Sequence, residues 1–174
     1  MDLFEAIEKR GCYRDSFTAK KISRSELRRI VQAGIQAPSG CNAQTTSFVI
    51  VDDPEMVKKL AAVLGKPFCA SAAAVIVCIV DKRTVFGDMS FYREDCAAAT
   101  ENILLALTAF GYATVWLDGV LRVDGVAEKI AALLDVPADK TVQIVLPVGE
   151  PAKPHSQNSR QPFEQRAWFG RYGG

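Results

Sequence analysis

The sequence predicts an α+β fold. Strong helix and strand patterns mix along it without a regular βαβ alternation. The run Ala73 to Val80 is continuously apolar and reads as a strand buried on both faces. The longest helical stretch, about Phe91 to Phe110, is apolar nearly all round in its second half and rich in alanine. Such a helix is central, and its small residues permit close approach by neighbours.

The elements follow in order. A first helix covers about Leu3 to Arg10, with Gly11 placed as its C-terminal stop. Ser23-Arg24-Ser25-Glu26 is a capping box that opens a second helix. Leu27, Ile30, Val31, Gly34 and Ile35 form that helix's inner face, and its basic residues read as a solvated surface. Phe48 to Val51 reads as a strand. Asp53-Pro54 caps a helix that runs to about Leu64, with Gly65 past its end. Residues 82 to 90 are irregular, and Gly111 stops the long helix. Thr114 to Leu117 is a short strand, Asp124 caps a helix to about Leu134, and Thr141 to Val148 is a further apolar strand. Residues 1–149 thus form one domain.

Residues 150–174 differ. Four prolines between 147 and 162 keep the segment extended, yet it carries Phe163, Trp168, Phe169 and Tyr172. Disordered tails are poor in aromatics. These rings need a surface, and a second subunit suits them better than the parent domain, whose elements are complete without the tail.

Composition narrows the function. Twenty-one Lys and Arg balance twenty Asp and Glu, which gives no electrostatic case for nucleic acid or an anionic membrane. No apolar run reaches the ~18–20 residues that span a bilayer. The N-terminus is an amphipathic helix carrying acids, not a signal peptide. Five cysteines without a CxxC pair, and a single histidine, favour a reduced, cytoplasmic setting over disulfides or zinc. Cys69, Cys78 and Cys96 read as small core residues. No GxGxxG follows a strand and no GxxxxGK[ST] occurs, so a Rossmann or P-loop nucleotide site lacks support.

Four constellations could carry chemistry. Arg10 and Arg14 flank a turn directly after a helix, and guanidinium groups bind phosphate in bidentate fashion. Ala37-Pro38-Ser39-Gly40-Cys41-Asn42 is long for a helix exit, supplies donors and permits close backbone approach. In Leu117-Asp118-Gly119 a strand ends on Asp-Gly, which leaves backbone N–H groups free for a ligand or makes a tight turn. Arg160 lies in the proline-rich tail. Taken singly, each is also compatible with an ordinary surface or turn.

Their order is more specific. Arg-x-Cys-x-Arg after a first helix, APSxxNxQ after a second, Asp95 opening an alanine-rich helix, GYATVW, and PVGEP before an arginine-bearing tail together resemble the nitroreductase family of FMN-dependent oxidoreductases. The resemblance spans nearly the whole chain. It implies a central, mostly antiparallel sheet flanked by helices, and an interlocked homodimer with one FMN in each of two interface sites. The C-terminal arm would pack on the partner. Arg10, Gly11, Cys12, Arg14 and Arg160 would hold the phosphate and ribityl chain. Pro38, Ser39, Gly40 and Asn42 would come from the other subunit and face the flavin ring. Leu117, Asp118 and Gly119 would lie at the ring's redox edge, with backbone N–H groups toward it. The activity implied is hydride transfer from NAD(P)H to a small organic acceptor such as a nitroaromatic, quinone or enone, by a ping-pong mechanism, with the flavin and no side chain carrying the chemistry. An FMN-binding protein of the same fold without general reductase activity is the alternative. A cysteine hydrolase using Cys12 or Cys41 with His155 lacks an orienting third group.

The chain departs from the family in several places, among them Asn158, where a basic residue often stands two positions before the tail arginine, and a short segment between about Leu64 and Ala70. Cys12 replaces a usual serine and is a weaker hydrogen-bond partner, which loosens one phosphate or ribityl contact. Gln44-Thr45-Thr46 replaces Gln-Pro-Trp, which predicts a less rigid strand entrance.

Overall fold

The computed structural model describes residues 1–173 of the 174. Its helices and strands alternate irregularly: α1 (Leu3–Lys9), α2 (Arg24–Ile35), β1 (Thr46–Val51), α3 (Pro54–Leu64), β2 (Ala74–Asp81), α4 (Tyr92–Ala109), β3 (Ala113–Thr114), α5 (Val126–Leu133) and β4 (Lys140–Gly149). The four strands form one sheet in the order β1-β2-β4-β3, and every pairing is antiparallel. The register sets Val49 opposite Val77, Val77 opposite Val145, and Thr114 opposite Val148.

Period-two alternation divides β2 between two cores. On one face Ile76 and Cys78 join Leu146, Leu27, Ile30, Ile103 and Leu107, so α2 and α4 cover it. On the other, Val75 and Val77 join Val145, Leu60, Leu64 and Ile130, so α3 and α5 cover it. A strand covered on both faces must read as an unbroken apolar run, as β2 does. Each large side chain fully buried here contributes about 1.5–3 kcal/mol. The α2–α4 packing is close: a β-carbon on Gly34 would lie 2.7 Å from Ile103 Cγ1.

The caps follow local chemistry. Ser23 Oγ accepts from Glu26 N, and the Glu26 carboxylate accepts from Ser23 N, which closes the predicted capping box. Asp53 caps α3 through Met56 N, and Gly65 ends it in the left-handed conformation.

Four expectations are corrected. The first helix ends at Lys9, and Gly11 is not its left-handed stop, since its φ is not positive. Gly11 instead permits close approach by the tail, because a β-carbon there would fall 2.8 Å from the Ser156 carbonyl oxygen. Ile35 is exposed rather than on the inner face of α2. The strand expected at Thr114 to Leu117 pairs only over Ala113–Thr114, with Leu117 making one isolated bridge to Val145. Asp124 does not cap α5. It and Gly125 both take left-handed backbone; Gly125 is the N-cap, its carbonyl accepting from Lys129 N, and no side chain caps the helix.

The tail leaves β4 along the loop after α1. Thr18 N donates to Glu150 O and Ala152 N to Ser16 O, and the Tyr13 hydroxyl accepts from Ala152 N. Beyond Gln157 the described tail contains a single helical turn, Phe163–Gln165. Its rings meet each other, Phe163 with Phe169 and Trp168 with Tyr172, while Phe169 and Tyr172 remain about nine-tenths exposed.

Candidate functional site

The segment after α1 extends the sheet. Tyr13 N donates to Thr114 O at 2.8 Å, and Cys12 forms a parallel bridge with Thr114. Tyr13 is buried while its neighbours Cys12 and Arg14 are exposed, as alternation on an extended segment requires. The sheet therefore sets Cys12 and Arg14 on the side away from the core. Arg10 is mostly buried. Its Nε lies 3.4 Å from Glu101 Oε1 without hydrogen-bond geometry, and it has no other partner among the described residues. Arg14 makes no ion pair among the described residues, and Arg160 donates only to the carbonyls of Asn158 and Ser159. Gln157 Nε2 donates to Ile7 O and Arg10 O, which holds the start of the tail beside Arg10. Three further residues of chain lead to Arg160, a reach of up to ~10 Å. The arginine motif and the root of the arginine-bearing tail are thus neighbours.

The second segment follows α2. Ser39 O accepts from Asn42 N and Gly40 O from Ala43 N, which makes a single tight turn over Gly40–Asn42. Cys41, Asn42 and Gln44 all take left-handed backbone, at φ 52°, 54° and 51°. Three such residues in four positions, none of them glycine, persist only where the surroundings fix them. The fixing group is Asp95, buried in the first turn of α4. Its Oδ1 accepts from Gly40 N at 2.8 Å and its Oδ2 from the Thr45 hydroxyl at 2.6 Å. Ser39 Oγ accepts from Gln44 N, and Arg83 Nη2 donates to Ala43 O. Gly40 packs against the Phe91 ring so closely that a β-carbon would collide with it. Pro38, Ser39, Gln44, Thr45, Thr46 and Asp95 line a cavity of about 60 Å³ behind the turn.

This corrects the expectation of a loosened strand entrance. Thr45 is buried, and its hydroxyl ties the entrance to Asp95 where proline could not. Asp95 was visible in the sequence only as an acid opening the long helix. Its hold on residues 40 and 45 is a contact across 50 positions that no local pattern reports.

The third segment is partly as expected. Leu117 N donates to Val145 O at 3.1 Å, so this N–H is engaged in the sheet and is not free for a ligand, contrary to the expectation for it. Asp118 opens a short turn over Gly119–Arg122, and its carboxylate pairs with Arg122 at 2.7 Å. A β-carbon on Gly119 would meet nothing within 4 Å, which leaves open space over that backbone. Among the described residues, the N–H groups of Asp118 and Gly119 have no backbone acceptor.

Among the described residues, no hydrogen bond joins His155 to a thiol or a carboxylate. The only histidine, His155, packs edge-on to the Tyr13 ring at 5.2 Å, and burial lowers its basicity. Cys12 and Cys41 are exposed thiols, while Cys69, Cys78 and Cys96 are buried. No group of three or more His, Cys, Asp or Glu among the described residues is arranged to hold a metal. No helix among them is long and apolar enough to cross a membrane.

Comparison with known proteins covers most of the chain. The family described as "Nitroreductase family" matches residues 7–73 and 62–150. A protein of Archaeoglobus fulgidus, described as a candidate NADH dehydrogenase/NAD(P)H nitroreductase, is 34% identical over 137 residues, or 78% of each chain. A crystal structure from Bacteroides thetaiotaomicron VPI-5482, described in the same terms, superposes with a TM-score of 0.86 at 24% identity, covering 98% of both chains. The NADPH:FMN oxidoreductase of Vibrio harveyi, solved with NAD+, superposes at 0.82 with 26% identity, covering 98% of this chain and 77% of that one.

Proposed function

This chain belongs to the nitroreductase family, and on that premise we propose that it is an FMN-dependent oxidoreductase that moves electrons from NAD(P)H to a small organic acceptor. FMN, when bound, would supply the redox chemistry, a hydride transfer between NAD(P)H and a nitroaromatic, quinone or enone in a ping-pong cycle. The protein's task is to bind, orient and shield.

The observation that carries this reading is a set of guanidinium groups left without carboxylate hydrogen bonds. Arg10 Nε is buried with no hydrogen-bond partner among the described residues, Glu101 Oε1 facing it at 3.4 Å, and Arg14 and Arg160 make no ion pair among them. A buried, unsatisfied charged donor is costly unless a ligand completes it. A phosphate dianion is the ligand such a cluster fits. In this reading Arg10, Gly11, Cys12, Arg14 and Arg160 hold the phosphate and ribityl chain. The open backbone at Asp118 and Gly119, next to Leu117, borders the ring and offers N–H groups to developing negative charge. Pro38, Ser39, Gly40 and Asn42 approach the same ring from a second copy of the chain.

Two surfaces support a homodimer. Residues 150–174 carry exposed aromatic rings that find no place on their own domain, and β1 leaves an open sheet edge at the end of the order. We assign the tail as an arm packed on the partner subunit, beside a single domain of residues 1–149. The reduced, buried thiols suit a cytoplasmic protein.

Steady-state oxidation of NADH and NADPH by the FMN-loaded dimer, with a quinone added, tests this reading. Quinone-dependent turnover is expected. A fully loaded dimer that turns over with neither donor would leave an FMN-binding protein without reductase activity.

A further inference from the structure

We propose that α4 is a shared mount for two flavin sites, with Asp95 positioning the turn that reaches the partner's flavin and Glu101 positioning Arg10 in the site of its own chain. The inference rests on the flavin reading above and adds two residues to it. Neither is a catalytic residue, since neither is placed against the cofactor.

The geometry on each side is distinct. Asp95 is buried and holds both ends of the strained turn, through Gly40 N at 2.8 Å and the Thr45 hydroxyl at 2.6 Å. Between those points lie three non-glycine residues with left-handed backbone. Without the carboxylate these residues lose what fixes them and relax toward ordinary backbone. Pro38 to Asn42 would then lose their shape. Glu101 stands six residues further along the same helix, a rise of about 9 Å. Its Oε1 faces the buried Arg10 Nε at 3.4 Å. It offers that nitrogen its only opposite charge within 4 Å among the described residues. Between these two carboxylates Cys96, Ala99 and Thr100 are buried, and just beyond them Ile103 packs closely on Gly34. One helix therefore fixes the distance between the half-site that a chain keeps and the half-site that it lends.

The arrangement predicts a cis–trans pattern that a purely structural role cannot produce. An Asp95→Ala chain damages the partner's flavin site, and a Glu101→Gln chain damages its own. In homodimers, FMN affinity should fall about tenfold for Asp95→Ala and about threefold for Glu101→Gln. Thr45→Val removes one of the two Asp95 bonds at constant shape, and it takes the place of Asp95→Ala if that chain does not fold.

The decisive experiment uses mixed dimers carrying two different tags, purified by both, with FMN binding followed by quenching of flavin fluorescence. A dimer of one Asp95→Ala chain and one Glu101→Gln chain places both defects in one site, so it should keep one site of wild-type affinity. A double-variant chain paired with wild type spreads one defect to each site, so it should keep none. Identical titrations for the two mixed dimers, or variant homodimers that bind FMN like wild type, would overturn the proposal. A wild-type dimer that takes up no FMN would instead remove the flavin reading itself, and the shared mount with it.

Discussion

The carbonyl oxygen of Ser156 occupies the place where a side chain on Gly11 would begin. A β-carbon built there falls 2.8 Å from that oxygen and 3.1 Å from its carbon. Both groups are backbone, so neither yields by a rotamer change. The contact seats the root of the tail on the segment that carries Arg10, Cys12 and Arg14. Gly11→Ala is expected to lift the tail, at a cost of about 1–3 kcal/mol. Limited proteolysis checks this: cleavage beyond residue 150 should become faster, with the rest of the domain still protected.

A second close approach sits in the core. Gly34 on α2 meets Ile103 on α4, both fully or nearly fully buried. Gly34→Ala improves helix propensity by roughly 1 kcal/mol but forces the Ile103 side chain aside. Net destabilisation of about 1–2 kcal/mol is expected. Adding Ile103→Ala, which removes both side-chain atoms the new β-carbon would meet, Cγ1 and Cδ1, should recover part of the Gly34→Ala loss. Urea midpoints of the two singles and the double measure the coupling, and strictly additive losses would contradict the contact.

Acid should loosen the start of α2. Hydrogen bonds from the Ser23 hydroxyl and backbone, and then from the Tyr112 hydroxyl, hold the Glu26 carboxyl below its ordinary value of 4.5. A carboxylate with a depressed folded value stabilises the fold above its unfolded value, and that contribution fades as pH falls below about 4.5. Glu26→Gln is therefore expected to lower stability at neutral pH and to flatten the acid limb of the stability profile. Thermal melts between pH 3 and 7, an interval of about four units around the carboxylate range, report both effects.

The buried thiols should be inert. Burial pushes the Cys69 thiol up to about 11, and Cys78 and Cys96 are fully buried beside each other in the sheet–helix core. At neutral pH a maleimide should leave all three unlabelled in the native protein and modify them once urea unfolds it, as mass mapping would show. Native labelling at Cys69 would contradict the packing of α3 on β2.

Much of this fold is legible where the deciding chemistry is local. The Ser23–Glu26 box, the Asp53-Pro54 start and the Gly65 stop are each set within a few residues, and each stands where the sequence places it. Strand β2 is legible because burial on both faces leaves no polar position from Ala74 to Val80. Elsewhere a tertiary contact decides. Strand β3 pairs with Gly149 and Val148 only, and the chain rejoins β4 at the isolated Leu117–Val145 bridge. Ile35 fits the apolar period of α2 yet lies at its last position, where it is exposed. Thr45 suggested a looser entrance because its partner, Asp95, is 50 residues away. The candidate site divides in the same way. The arginines and the Pro38–Asn42 turn are legible as motifs, whereas the engagement of the Leu117 N–H with Val145 depends on sheet register.

The most direct test of the central claim is a spectral titration of the wild-type protein. It would be loaded with FMN, freed of excess, and mixed anaerobically with NADH or NADPH. Two FMN per dimer are expected on release by denaturation, and the bound flavin's visible band should bleach with at least one donor and return when a quinone is added. Protein that retains no FMN, or bound FMN that neither donor bleaches, would contradict the account.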